Sequence, residues 1–188
     1  IFDDFAAELS AHVVALKVGA GMGEDITLGP VQNDRQYQRA MELRNRAIAD
    51  GHLVAAAAIP DGPGYFVPPS VFSNLDDAHP LVADEQFAPL LPLLRFTSEA
   101  EAAARANASI FALTGSVWSS DPARAESLAE RHVAALICVN AHNQEPTDVG
   151  LEMAKQSGIG WLLGDEGIKQ YLQSYTLVRA ASNPKEQS

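Results

Sequence analysis

Cys138 is the first residue to weigh for chemistry, because a thiolate is a strong nucleophile and the chain has no other cysteine. It lies within AALICVN, among apolar neighbours and with no basic residue close in sequence. Burial in such a strand raises a thiol pKa and leaves the sulfur inert, so packing is the expected role. The five histidines, His12, His52, His79, His132 and His142, form no HxxxH spacing, and a second cysteine is missing, so no metal site is expected. Each reads as a solvated or core histidine. His142 falls in a long irregular stretch and is the best placed of the five to line a pocket. Gly19, Gly21 and Gly23 make a GxGxG run, but it follows a helical segment. A dinucleotide fingerprint follows a strand and opens a helix, so these glycines read as a turn. GxxxxGK[ST] and GxSxG are both missing. Asp84 and Glu85 stand together before QFAPLL. Acid–base work by paired carboxylates needs a second group brought near in space, so a solvated loop is their default reading.

The elements that would position these residues can be read from pattern. Residues 2 to 17 set Phe2, Phe5, Ala6, Leu9, Val13 and Leu16 on one face at helical spacing. VGAGMGEDITLGP then breaks regular structure. Asn33 is a natural cap for a helix running to about Asp50, with Tyr37, Ala40, Met41, Arg44 and Ile48 on one side and Gly51 as its stop. HLVAAAAI reads as a short buried strand, PDGPGY as a turn, and FVPPSVF as an extended segment whose prolines keep it at a sheet edge or outside the sheet.

From residue 90 onward LLPLLRF, LTGSVWSS and AALICVN read as strands, separated by helices that start at Ser98 and at Asp121–Pro122. Alternation of this kind predicts an α/β fold with an open, mainly parallel sheet flanked by helices. AHNQEPTDVGLEMAKQSGIG is a long irregular stretch, followed by a short helix in GDEGIKQYLQ, a last strand in SYTLVRAA, and a tail, residues 182–188, expected to be disordered.

The totals exclude several classes. A chain of 188 residues with 47% hydrophobic and 20% charged residues is globular rather than disordered. Its formal charge of −11 argues against a nucleic-acid partner. Membrane spanning is not expected, because no apolar run is long enough. The acidic start IFDDFAAELS is not a signal peptide, and the absence of an initial Met fits a piece of something longer. A single cysteine fits a reducing cytoplasm.

Taken in order, LKVGAGMGEDITLGPVQN, GPGYFVPPSVF, ADEQFAPLLPLLRF, SVWSSD, CVNAHN, KQSGIG and EGIKQYLQSYTLV resemble the aldehyde dehydrogenase superfamily across residues 9 to 179. The resemblance implies the C-terminal part of that family's catalytic domain over residues 1–181, and an enzyme that oxidises an aldehyde to a carboxylic acid with NAD or NADP. In the family a cysteine thiolate attacks the aldehyde carbon, a hydride leaves to the nicotinamide, and a glutamate activates the hydrolytic water. The resemblance places that cysteine, that glutamate and the nucleotide domain outside this chain, so the isolated chain is expected to be inactive.

It assigns Glu85 to the nicotinamide ribose and Phe87 to the nicotinamide ring. It makes Ala141 to Leu151 a lining of the aldehyde entrance, with His142, Asn143 and Leu151 as channel residues. Residues 174–181 match the strand through which family members join a neighbouring copy, which implies a homo-oligomer. The chain departs from the family at Ala88, at Gly150 to Met153, at Trp161 and Leu162, and at Phe111 and Ala112. Where a lost glycine held a positive φ, strain is expected. A truncated, non-catalytic module acting in assembly or binding is the second reading of the same resemblance. Either way, the isolated chain is expected to expose apolar surface and to self-associate.

Overall fold

The computed structural model describes residues 1–179, in two compact units, Ile1–Ala102 and the residues from Ala103 onward. In the first unit the elements are α1 (Phe2–Val14), α2 (Asp34–Asp50), β1 (His52–Ala56), β2 (Ser70–Ser73), α3 (Pro80–Ala83) and β3 (Leu90–Pro92). The three strands form one sheet in the order β1-β2-β3, antiparallel between β1 and β2 and parallel between β2 and β3.

β2 is buried along its whole length, and its alternating side chains organise two cores. Phe72 packs with Ala40 and Ala47 of α2 and Leu81 of α3. Val71, pointing the other way, packs with Val13 of α1 and Ala55 of β1. The expectation that the paired prolines would keep FVPPSVF at a sheet edge or outside the sheet holds for residues 66–69, which lie outside it, and is corrected for Ser70, Val71 and Phe72, because β2 is the central strand. Pro68 and Pro69 sit just before its first paired residue, so their missing N–H groups never fall in the ladder. Their carbonyls are used instead. Pro69 accepts from the Ala57 N–H at 2.9 Å and Pro68 from the Ser70 hydroxyl at 2.7 Å.

The start and stop of α2 are as the sequence predicts. Asn33 Oδ1 accepts from the Gln36 N–H at 2.9 Å, and Gly51 closes the helix on the Ala47 carbonyl. The buried face centres on Ala40 and Ala47, and Ile48 is turned outward. α1 is shallower than its pattern implies, with Val13 buried and Phe5 exposed. Gly19, Gly21 and Gly23 lie in turns between α1 and α2, as expected.

α4 (Glu99–Ala108) runs across the boundary between the units. The second unit then has β4 (Thr114–Val117), α5 (Pro122–Ala129), β5 (Leu136–Val139), β6 (Leu151–Glu152), β7 (Trp161–Leu162) and α6 (Gly164–Lys169). β4 and β5 are parallel neighbours joined through α5, which starts on an Asp121 cap to the Arg124 N–H. The α/β architecture is mixed, with one parallel pairing in each unit, β2 with β3 and β4 with β5, beside an antiparallel one. The strands predicted in succession from residue 90 are shared out, however, since β3 pairs with β2 while β4 pairs with β5. Chain order shows that crossovers make parallel neighbours; it does not show which strand each one meets.

The stretch expected to be irregular contains a small antiparallel hairpin, β6 with β7. Residues 172 to 179 have no assigned strand, and Tyr175, Leu177 and Val178 are exposed. The rest of the expected last strand, 180–181, and the tail 182–188 lie outside the described residues. No helix among the described residues is long and apolar enough to cross a membrane.

Candidate functional site

In the first unit, the segment Glu85–Gln86–Phe87 leaves α3 and leads into β3. It is pinned from one side by α2. Gln36 Nε2 donates to the Gln86 carbonyl at 2.6 Å and to the Phe87 carbonyl at 3.0 Å. Arg39 Nη2, three residues further along the same helix, reaches the Glu85 carbonyl at 3.4 Å. From the other side the Gln86 amide donates to the Leu90 carbonyl at 2.7 Å. Phe87 sits in the left-handed region with φ +48°, and the residue is 70% exposed. A bulky aromatic in that conformation is uncommon and costs on the order of 1–3 kcal/mol, which the surrounding bonds must hold. Glu85 is exposed, and its carboxylate has no hydrogen-bond or ion-pair partner among the described residues.

α3, which precedes this segment, is capped by a buried imidazole. His79 Nδ1 accepts from the Leu81 N–H at 3.1 Å, which leaves the ring proton on Nε2, 3.6 Å from Asp50 Oδ2. His79 is therefore a core histidine with a local structural role, one of the two readings its type allowed.

In the second unit, the loop from Ala141 to Gly150 carries His142 and Asn143 exposed, with Asn143 at φ +49°. Leu151 differs: it is 8% exposed, in β6, paired with Leu162. The far half of the loop, Thr147 and Asp148, forms one wall of a cleft of about 410 Å³ whose other walls include Trp161, Leu163, Ile168 and Tyr171. Neither His142, Asn143 nor Leu151 lines it. The Gly164 N–H donates to the Thr147 carbonyl at 3.3 Å, and a Cβ on Gly164, whose φ is +55°, would come within 2.6 Å of the Gly150 nitrogen. Leu163 beside it holds φ 60° and ψ 174°, a conformation nearly confined to glycine. A Cβ on Gly150 would meet the Trp161 ring at 3.0 Å.

Two clips tie elements of this unit together, one at the ends of two strands and one at the end of α4. Asn140, at φ +51°, bonds twice to Ser119, joining the C-terminal ends of β5 and β4. Lys155, at φ +50°, donates from Nζ to the carbonyls of Asn107 and Ser109 at 2.8 Å each, at the end of α4 where a cation meets the helix dipole. Asn107 Oδ1 accepts from the Val133 N–H at 2.8 Å and lies 3.2 Å from His132 Nδ1, so that ring nitrogen carries the proton. Partial burial, and after it the charge of Lys155, hold the His132 pKa below the ordinary range.

The positions that depart from the family pattern carry no left-handed backbone. Ala88, Gly150, Leu151, Glu152 and Met153 all lie outside the positive-φ residues. The strain expected at Ala88 is thus corrected: the positive φ is on its neighbour Phe87. Cys138 is 8% exposed within β5, opposite Ser116, in the packing role expected of it. Among the described residues no three His, Cys, Asp or Glu side chains gather as a metal site.

The resemblance named Glu85 and Phe87, and sequence reasoning did not name Gln36 and Arg39, which bond to the backbone of that segment. Their i, i+3 spacing on α2 was visible, but not the carbonyls they meet some fifty positions later. Glu85 and Phe87 belong to the first unit, and His142, Asn143 and Leu151 to the second.

The model of the aldehyde dehydrogenase family matches residues 1–179. A betaine aldehyde dehydrogenase of Rhizobium etli is 34% identical over 161 residues, which cover 84% of this chain and 33% of the relative. One from Cereibacter sphaeroides is 31% identical over 174 residues, covering 92% and 36%. Among solved structures, an aldehyde dehydrogenase of Bacillus cereus superposes with TM-score 0.84 at 28% identity, over 90% of this chain and 35% of that one. A betaine aldehyde dehydrogenase of Staphylococcus aureus, in complex with NAD+, gives TM-score 0.83 at 29% identity, over 93% and 37%. The chain spans about a third of the length of these relatives. A match along nearly all of this chain, in sequence and in fold, places it in the aldehyde dehydrogenase family.

Proposed function

We propose that the chain supplies part of an NAD(P)-dependent aldehyde dehydrogenase that oxidises an aldehyde to a carboxylic acid through a cysteine thioester. The nucleophilic cysteine, the glutamate base and the nucleotide domain lie outside these 188 residues, and the isolated chain is inactive. The observation that carries this reading is the Glu85–Phe87 segment. It presents a free carboxylate and an exposed aromatic residue from a left-handed backbone held by α2.

These residues fit a nicotinamide riboside. Glu85 can accept two hydrogen bonds from ribose hydroxyls without changing its protonation. The Phe87 ring offers an apolar face to a planar ring and keeps water from it. NAD or NADP, when bound, supplies the hydride acceptor. His142, Asn143 and Leu151 belong to the aldehyde-channel side, with Leu151 acting from a buried position and the two loop residues from the surface.

Residues 174–181 join a neighbouring copy as an added strand, which would cover the exposed Tyr175, Leu177 and Val178. A reducing cytoplasm suits the lone thiol. The second reading, a truncated module that acts in assembly or binding, rests on the same exposed apolar run.

The test is Glu85→Gln in the natural polypeptide that carries this chain. The Michaelis constant for the dinucleotide should rise about tenfold, the loss expected for weakened charged hydrogen bonds, with the aldehyde constant little changed. An unchanged dinucleotide constant would remove Glu85 from the cofactor site. Absence of any turnover by that polypeptide would favour the module.

A further inference from the structure

We infer that Gln36 is a positioning residue for the cofactor segment: its side-chain amide holds the backbone of Gln86 and Phe87 in the strained form that presents the Phe87 ring. The inference rests on the reading of Glu85 and Phe87 as cofactor contacts and adds the device that aims them.

Gln36 is the third residue after the Asn33 cap, the position from which a Glu or Gln commonly folds back to the cap's own N–H. Here the side chain goes elsewhere. Both of its donor contacts run to carbonyls of a segment fifty and fifty-one positions away, at 2.6 and 3.0 Å. Those two carbonyls flank the φ of Phe87, the angle at +48°. A single amide bonded to both therefore fixes the rotation between them, which is the rotation that an L-residue with a large side chain least favours. Arg39 adds a longer contact to the carbonyl one step earlier, and Gln86 ties the segment forward to Leu90. Strain over-determined in this way is the usual condition of a residue kept in place for a ligand. Without the Gln36 contacts, Phe87 should relax toward an ordinary conformation, carrying its ring and the Glu85 carboxylate away from their places.

Two variants separate positioning from simple helix support. Gln36→Glu keeps a favourable residue in the first turn of α2, where a carboxylate suits the helix dipole, but it cannot donate to the carbonyls. Gln36→Met removes the donors without adding charge. Both would be made in the natural polypeptide that carries this chain. Three quantities would be read: the rate of chymotryptic cleavage after Phe87 by mass spectrometry, the binding of NAD+ and NADP+ by calorimetry, and the melting temperature.

In both variants, cleavage after Phe87 should quicken and binding of the preferred dinucleotide should weaken, each by about tenfold for two lost neutral hydrogen bonds. Gln36→Glu should melt within about 2 °C of the parent. Unchanged cleavage and binding in Gln36→Glu would overturn the inference and leave Gln36 a helix residue only. Faster cleavage with unchanged binding would show that the clamp exists while Glu85 and Phe87 do not meet the cofactor, which defeats the positioning role together with the reading beneath it.

Discussion

Asn140 holds Ser119 at two points: its Oδ1 accepts from the Ser119 N–H at 2.8 Å, and its Nδ2 donates to the Ser119 carbonyl at 3.0 Å. The pair ties together the ends of β4 and β5, and Asn140 pays for the position with φ +51°. Asparagine tolerates that region better than most residues. Asn140→Ala should lower unfolding stability by about 1–2 kcal/mol, from two lost bonds plus backbone strain. Asn140→Gly loses the same bonds without the strain and should fall between the two. Urea denaturation measures the order. Equal stability of all three proteins would mean that the clip contributes nothing.

Lys155 closes the end of α4 through its bonds to Asn107 and Ser109, and its charge lies near His132. Lys155→Met keeps the stem and removes the ammonium. A loss of about 1–2 kcal/mol is expected from charged hydrogen bonds in an exposed setting. In the same variant the His132 pKa, followed by imidazole proton resonances, should move upward. Movement downward would contradict the assigned role of the lysine charge.

His132 sets a pH dependence of definite sign. Its folded pKa is depressed below the ordinary value of about 6.5, first by burial and then by Lys155. Below that pH the unfolded chain takes up the proton more readily than the folded one, so stability falls as pH drops through about 6.5 toward the folded pKa and is flat above. The contribution is isolated by comparing denaturation curves of the parent and His132→Gln between pH 5 and 8, a window that brackets a histidine titration in about three units. The parent should lose stability relative to the variant on the acidic side. A relative gain there would contradict the sign.

Much of this arrangement was legible in the residues. The caps Asn33 and Asp121, the stop at Gly51 and the parallel β4-α5-β5 unit follow from local chemistry that acts within a few positions. The inert setting of Cys138 followed from its neighbours. What the sequence hid is long-range. FVPPSVF read as an edge or as lying outside the sheet because proline cannot donate, yet only the residues up to Pro69 stand outside the ladder and β2 becomes the central strand. The cleft beside Trp161 was missed because it is built from two loop residues, the two-residue strand β7 and the short helix α6 with the residues beside it, elements too short to show a pattern. Gln36 was missed because a helix residue declares its face by period but not the carbonyls it will reach.

The most direct test of the central claim is aldehyde-dependent reduction of NAD+ and NADP+, measured side by side for the isolated 188 residues and for the natural polypeptide that carries them, each with and without Cys138→Ser. The natural polypeptide should turn over with or without that substitution, and the isolated chain should show no turnover, since its one thiol is buried in β5. Turnover by the isolated chain that vanishes with Cys138→Ser would make Cys138 the nucleophile and contradict the account.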